Sequence, residues 1–358
     1  MQRHKIIVMF SGGLDSTIAV HLLKSQGLDV KALHFLLPFY SGIGKHPGKI
    51  AEYADALGVP LRVEEEGEEY LDMIRDPLFG FGKNANPCVD CRIHRLKKAA
   101  RIIEEEGAVC LATGEVAGQR PMSQKLPTLM KVEKLSGLTG RLLRPLSAKL
   151  LPPTGAESAG IVNREKLLGI SGRSRAAQLA YAKEHSLAHS APAGGCLLTN
   201  IETGARFSDL AENSPNFSLV DFKLIAYGRH FRRSRNYRVI VSRNGDENET
   251  IEKICGLAAG GGALARGAPT QNESTPNIIQ FYLRDATGPL AVGLGKPDEI
   301  DLHFSAAAVV RFSKMRNSAG AAVVVRGKVN GETVDRVIET AAADDDELAG
   351  HRVCSVRP

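Results

Sequence analysis

The stretch that most constrains this chain is Ser11-Gly12-Gly13-Leu14-Asp15-Ser16, which follows directly on the apolar run Ile6-Ile7-Val8-Met9-Phe10. The apolar run predicts a buried strand. Leu14, Ile18 and Leu22, with Ala19 and Leu23 beside them, predict a helix that begins at once. A strand that turns through two glycines into a helix start offers backbone N–H groups and the positive end of a helix dipole to an anion. Gly12 and Gly13 let the backbone come close to that anion, because no Cβ intervenes. The hydroxyls of Ser11 and Ser16 add donors, and Asp15 can hold a magnesium ion against phosphate charge. No lysine follows the second glycine, which excludes the G-x-x-x-x-G-K-[ST] loop that grips a γ-phosphate.

Residues 29–36 read as a second buried strand, and a helix then carries Ile50, Tyr53, Ala54 and Leu57 on one face before a short strand at residues 60–63. Strands alternating with helices predict an α/β class domain, a doubly wound parallel sheet whose ligands sit at the strands' C-terminal ends. A strand at residues 109–112 delivers Thr113-Gly114-Glu115 through Gln119, with Ser123-Gln124 after it, to the same edge. Residues 140–146 read as another strand and exit loop, and a helix is expected over residues 174–186 with Leu179 and Ala182 packed. The acidic run Glu64-Glu65-Glu66 with Glu68-Glu69 reads as a solvated face.

A chain of 358 residues is too long for one small core, and 43% hydrophobic with 24% charged residues is an ordinary globular composition. The N-terminal apolar run is too short for a signal peptide or a membrane span, and nothing later reaches spanning length. A cytoplasmic protein with no membrane partner is therefore expected. The formal charge of +6 leans toward an anionic partner. The organisation expected is an α/β domain over residues 1–200, a basic segment suited to RNA binding over 201–255, a flexible Gly/Ala-rich linker over 256–276, and a smaller β-rich or α+β unit over 277–358.

Six cysteines in such a chain argue for metal or redox chemistry more than for a disulfide framework. Cys88 and Cys91 form a C-x-x-C immediately before a helix bearing Arg92, Arg95, Lys97, Lys98 and Arg101, where the dipole should favour thiolate. Cys196 follows Gly194-Gly195 on a loop that could return to the ligand edge. Three thiolates without an obvious fourth ligand suit an iron–sulfur cluster with one open iron. His94 could instead complete a zinc site, and a persulfide route through the same thiols is a third reading. Cys110 reads as core, while Cys255 and Cys354 have no partner motif.

The hexapeptide at residues 11–16 resembles the SGG-x-DS loop of the PP-loop ATP pyrophosphatases, whose domain is adenine nucleotide alpha hydrolase-like. That resemblance implies cleavage of ATP between the α- and β-phosphates, with the AMP half activating an oxygen of the substrate. The order Thr113-Gly114-Glu115, Gln119, Ser123-Gln124 and then Leu143-Arg144-Pro145-Leu146 is similar to the catalytic domain of the tRNA 4-thiouridine synthetases. The C-x-x-C with one distant cysteine resembles the tRNA 2-thiocytidine synthetases and cluster-bearing relatives. Two departures stand out: Glu115 replaces the family's Asp, and the family's N-terminal RNA-binding module does not precede the loop.

The resemblance implies an ATP-dependent tRNA sulfurtransferase using ATP, Mg²⁺ and a three-cysteine 4Fe-4S cluster, with zinc as the alternative. Its partners would be tRNA and a sulfur donor, either sulfide or a persulfide-carrying protein. Asp15, Glu115, Cys88, Cys91 and Cys196 would be catalytic, with the three cysteines holding the cluster. Ser11, Gly12, Gly13, Asp15, Ser16, His34, Gly114 and Gln119 would contact the nucleotide. Candidate RNA contacts are Arg92, Arg95, Arg229, Arg232, Arg233 and Arg235, with Phe231 or Tyr237 as stacking faces. Residues 239–244, with Glu247-Asn248, resemble part of an RNA-binding module of ribosome-quality-control proteins. The competing readings are a PP-loop amide- or amidine-forming ligase, which needs no cysteine trio, and a non-catalytic RNA or nucleotide binder.

Overall fold

The computed structural model describes residues 4–40, 47–120, 123–191, 196–257, 277–329 and 332–354. The chain divides into two compact units, Met1–Gly82 with Pro87–Gly195 and Lys83–Asn86 with Cys196–Pro358.

In the first unit the order is β1 (Lys5–Met9), α1 (Leu14–Lys24), β2 (Asp29–Leu36), α2 (Pro47–Ala56), β3 (Leu61–Glu65), α3 (Glu68–Arg75), α4 (Cys88–Glu105), β4 (Cys110–Thr113), α5 (Leu126–Leu135), β5 (Leu142–Leu143), α6 (Gly155–Ser158) and α7 (Ala176–Glu184). The strands form one sheet in the order β3-β2-β1-β4-β5, and every pairing is parallel. The alternation along β1 explains why the sheet is covered on both faces. Ile6 and Val8 pack with α1 residues Leu14, Ile18 and Leu22, whereas Ile7 joins Leu33, Leu111 and α4 residues Leu96 and Ile103 on the other face. The strand order runs outward from β1 through β2 to β3, then restarts on the opposite side of β1 with β4. That reversal opens a crevice at the C-terminal ends of β1 and β4, where a doubly wound sheet binds its ligands.

Two glycines shape that crevice. Gly12 has φ +68°, a conformation in which a side chain would be strained, and a Cβ there would meet the Tyr53 ring at 2.9 Å. Gly114 lies so close to the start of α1 that a Cβ would fall 2.6 Å from the Asp15 carbonyl carbon and 2.5 Å from the Ser16 nitrogen. Helix α7 departs from expectation: Ala182 is buried, but Leu179 is 51% exposed and Gln178 turns inward in its place. The helix begins two residues later than the sequence pattern suggests, and its inner face follows Gln178 and Ala182.

The second unit contains α8 (Ile201–Asn213), α9 (Leu219–Leu224), β6 (Arg229–Ser234), β7 (Tyr237–Val241), α10 (Gly245–Cys255), β8 (Ile278–Leu283), β9 (Ala291–Gly295), α11 (Glu299–Arg311), β10 (Ala321–Val329), β11 (Glu332–Thr340) and α12 (Asp345–His351). Its sheet runs β11-β10-β8-β9-β7-β6, with every pairing antiparallel. The core gathers Phe231, Tyr237, Val239 and Phe281 with α11 residues Leu302, Phe304 and Val309. Compositional reading separates the 201–255 segment from the 277–358 unit, yet strands of both belong to this one sheet, because β7 pairs with β9. Most of the expected linker, residues 258–276, lies outside the described residues. The acidic triplet near the end has local work to do: Asp344 caps α12 and Asp345 pairs with Arg311. Among the described residues, no helix is long and apolar enough to cross a membrane.

Candidate active site

The loop after β1 is braced from within. The Ser16 hydroxyl donates to the Gly13 carbonyl at 2.9 Å, while the Ser11 amide donates to Ser16 Oγ at 3.2 Å. The Ser190 amide donates to the Gly12 carbonyl at 2.8 Å, and Ser190 bridges Gly13 in strand fashion. Ser190 carries no motif in the sequence, and only the fold brings it to the loop. Gly13 is the N-cap of α1 in extended conformation, and no side chain caps the helix. The first-turn amides therefore face the crevice without a side-chain competitor, as an anion site requires.

Asp15 lies in that first turn. Its Oδ2 accepts from the Gln119 side-chain amide at 3.1 Å, and its Oδ1 is buried with no hydrogen-bond partner among the described residues. A buried carboxylate oxygen left open in this way is suited to a hard cation such as Mg²⁺. The sequence-expected nucleotide residues Ser11, Gly12, Gly13, Asp15, Ser16, Gly114 and Gln119 are thus drawn together by two loops. His34 is buried, and its Nδ1 lies 2.8 Å from the Phe10 carbonyl, at the residue just before the loop.

Glu115 differs from expectation. Its carboxylate is buried and held by two guanidinium groups, Arg144 Nε at 2.9 Å and Arg92. Arg144 also reaches Glu133 at 2.7 Å and the Leu129 carbonyl at 3.2 Å. Burial works to push the Arg144 guanidinium down, and Glu133 counters it. Two arginines and two glutamates form a closed, charge-balanced network. Both Glu115 oxygens are engaged within it, so the carboxylate is not presented to a ligand as a general acid–base group would be.

Arg92 connects this network to the cysteines. Its Nη1 donates to the Ser123 carbonyl at 2.6 Å, and Cys88 lies one turn before it on α4. One loop, residues 114–124, thus touches Asp15 through Gln119 and the start of the cysteine helix through Glu115 and Ser123. The C-x-x-C does not precede the helix but forms its first turn, with Cys88 as the first residue of α4 and Cys91 three further on. The Tyr70 hydroxyl donates to Cys91 Sγ at 3.7 Å, and Arg95 Nε donates to the Cys91 carbonyl at 3.2 Å. Burial and the neighbouring Cys91 push the Cys88 thiol up, although Arg120, Arg92 and Arg95 pull it the other way. The expected thiolate-favouring effect of the helix end is therefore outweighed by desolvation.

Cys196 belongs to the second unit, where its carbonyl accepts from the Thr199 hydroxyl at 2.6 Å. Among the described residues, no group of three or more His, Cys, Asp or Glu side chains is arranged to hold a metal ion. His94, the expected fourth zinc ligand, instead places Nε2 2.9 Å from Glu66. Glu66 corrects the solvated-face expectation for its run: its side chain is fully buried, and Lys98 approaches it at 3.4 Å. Burial works to raise the Glu66 carboxyl, but the hydrogen bond and charge of His94, with Lys98 added, hold it below its ordinary value. Cys110 is core, as expected, and burial pushes its thiol up to about 12.

The arginine run of the second unit is largely spent on its own fold. Arg232 pairs with Asp209 at 2.7 Å, Arg233 with Asp301 at 3.2 Å and Arg238 with Asp221 at 2.7 Å. Phe231 and Tyr237, expected as stacking faces, are each 1% exposed, so neither ring can receive a base. They are the inward-facing residues of a strand pair whose polar residues alternate outward. Arg235 is exposed, Arg229 donates to the Ser242 carbonyl at 3.0 Å, and Arg92 and Arg95 are engaged within the first unit as described.

Residues 2–150 match the family model described as thiamine biosynthesis protein (ThiI). The chain is also 29% identical over 171 residues to a probable tRNA sulfurtransferase of Methanothermobacter thermautotrophicus, covering 46% of this chain and 40% of that one. The N-terminal region is thus similar to proteins of tRNA thiolation. A second relative is the tRNA-specific 2-thiouridylase MnmA of Syntrophotalea carbinolica, 36% identical over 123 residues, or 31% of this chain and 34% of that one. The chain thus spans about a third to two fifths of the length of these curated relatives. A crystal structure of a 4-thiouridine synthetase–RNA complex with bound ATP aligns with TM-score 0.34 and 22% identity, over 51% of this chain and 50% of that one. Residues 269–352 match the model of the NFACT protein RNA binding domain. That match begins downstream of residues 239–248, where the sequence suggests such a module, but β7 of that earlier stretch shares its sheet.

Proposed function

We propose that this chain is an ATP-dependent tRNA sulfurtransferase that adenylates a base carbonyl oxygen and replaces it with sulfur. The observation that carries the reading is the single loop, residues 114–124, that joins the Asp15 carboxylate to the first turn of the cysteine helix. A base carbonyl oxygen is a poor leaving group. Its attack on the α-phosphorus of ATP forms the O–P bond, breaks the bond to the β-phosphate bridge and releases pyrophosphate. The α1 amides and the Ser11 and Ser16 hydroxyls would stabilise the charge that develops on the departing pyrophosphate. Asp15, with its open Oδ1, would hold Mg²⁺, which neutralises phosphate charge when bound. Gln119 fixes the other carboxylate oxygen and so orients Asp15. A sulfur nucleophile then adds at the activated carbon, and AMP leaves with the original oxygen.

Cys88 and Cys91, one helical turn apart, are suited to carrying that sulfur as a persulfide taken by thiol exchange from a persulfide-bearing protein, whose own thiol leaves. After the outer sulfur bonds to the activated carbon, the second cysteine attacks the inner sulfur, frees the thiolated base and leaves a Cys88–Cys91 disulfide. A 4Fe-4S cluster, or zinc in its place, would take Cys196 as a third ligand. The RNA-binding-domain match supports an RNA substrate.

The test is nucleoside mass spectrometry of tRNA after incubation with the protein, ATP, Mg²⁺ and a persulfide-bearing sulfur donor, with pyrophosphate release followed in parallel. A thiolated nucleoside that disappears in Cys88→Ser while pyrophosphate release persists is the expected result. Full turnover in Cys88→Ser and Cys91→Ser, with no sulfur in the product, would replace sulfur transfer with amide- or amidine-forming ligation.

A further inference from the structure

The second unit holds a cluster of guanidinium groups that the linear arginine run does not reveal. Arg206 of α8, Arg229 of β6, Arg243 after β7 and Arg352 after α12 meet at the start of the β6 edge. Arg206 Nη1 donates to the Ile225 carbonyl at 3.2 Å, and Arg243 Nη2 donates to the next carbonyl, Ala226, at 3.5 Å. Arg229 Nη1 reaches the Ser242 carbonyl, and its guanidinium carbon lies 4.4 Å from the centre of the Phe312 ring. Arg206 and Arg352 share one carboxylate, approaching Glu202 at 3.2 and 3.6 Å. The backbone of Arg352 bridges Phe231, and the Val353 amide donates to the His230 carbonyl at 2.9 Å.

The local charge does not balance. Glu202 and Glu247, the latter 2.9 Å from Arg243, are the carboxylates paired with these four arginines. His230 adds no charge, since burial and then Arg206 and Arg238 push it well below its ordinary value. Arg206 is 5% exposed, and its Nε has no partner among the described residues. Burial pushes Arg206 and Arg229 down, and Arg243 and Arg352 add repulsion to both. Surplus guanidinium charge, together with a buried donor lacking an acceptor, is the footprint of a site for oxyanions.

We propose that Arg229, Arg243 and Arg352, backed by the buried charge of Arg206, form the surface through which the C-terminal unit grips the phosphates of an RNA backbone. This rests on the RNA-substrate reading above and names where the contact is made. Arg232 and Arg233 stand outside the cluster, each beside its own aspartate, Asp209 and Asp301. The contact is to phosphates rather than bases, because Phe231 and Tyr237 are buried and Arg229 covers Phe312. Recognition here is therefore independent of base sequence and sensitive to salt.

The test is tRNA binding to the full chain by fluorescence anisotropy across a series of salt concentrations, with Arg243→Gln and Arg352→Gln combined. These two side chains are 40% and 50% exposed, so their removal leaves the core intact. Affinity should fall about tenfold or more, and the slope of log K against log salt should flatten by about 0.7–0.9 for each phosphate no longer neutralised. Glu202→Gln removes the carboxylate that competes for Arg206 and Arg352, and should tighten binding, a gain that misfolding cannot mimic. Wild-type affinity and slope in the double variant would overturn the surface while leaving the RNA reading standing. Absence of tRNA binding by the wild-type chain would overturn both.

Discussion

The loop after β1 and the hairpin of β6 and β7 use polarity in opposite ways. The loop leaves groups open: uncapped α1 amides, and a buried Asp15 oxygen without a partner among the described residues. The hairpin matches its charges, with Arg232, Arg233 and Arg238 each set against an aspartate from a helix, although Arg232 Nη2 and Arg238 Nη1 have no hydrogen-bond partner among the described residues. Exposed ion pairs contribute little, but these are largely shielded, and their charges would be costly to strand. A run of like charges in a sequence is therefore no guide to a ligand surface until its partners are known. A backbone shape that strands its own donors is a better one.

This contrast can be broken at three points. The largest effect is expected from Asp15→Asn, which keeps the shape and removes the charge. Pyrophosphate release from ATP should fall roughly 10²–10³-fold with little change in Tm. Retained activity would mean that the open Asp15 oxygen has no part in the chemistry. Arg232→Ala should do the reverse, lowering stability by about 1–3 kcal/mol in urea unfolding while leaving tRNA affinity unchanged. A loss of tRNA affinity at unchanged stability would return that arginine to the ligand surface.

The smallest effect concerns Glu66, an acidic-run residue that behaves as the hairpin arginines do. Its folded pKa lies below the ordinary Glu value of 4.5, so its contribution is complete above that pH and is lost as pH falls through the folded value. The wild type should lose stability on acidification below pH 4.5 more steeply than Glu66→Gln, as read from urea midpoints. Parallel curves would assign the acid sensitivity to other carboxylates.

The parts of the fold that could be read from sequence are those set by local periodicity. The apolar run of β1, the α1 stripe from Leu14 to Leu22 and the continuous β2 pattern each carry their own signal. The loop after β1 is equally open to reading, because Gly12 and Gly13 specify backbone rather than partners. What stayed hidden depends on residues remote in the chain. Nothing near Glu115 in sequence announces Arg144, nothing near Glu66 announces His94, and Ser190 reaches Gly12 only through the fold. The cysteine pair falls between these cases. Its spacing is visible, yet the rise in the Cys88 pKa comes from burial that the spacing does not encode. The arginine cluster at residues 206, 229, 243 and 352 has no linear signature at all, since each member comes from a different element.

Gly114 carries a consequence of its own. The β4 exit lies flat against the first turn of α1, leaving no room for even a methyl group between them. Close-packed backbone transmits displacement with little loss. The β4 exit and the anion-facing turn of α1 are thus geared together by plain van der Waals contact. A side chain at this seam would swing the anion-facing amides off target while leaving every donor in place, an injury of alignment rather than of chemistry.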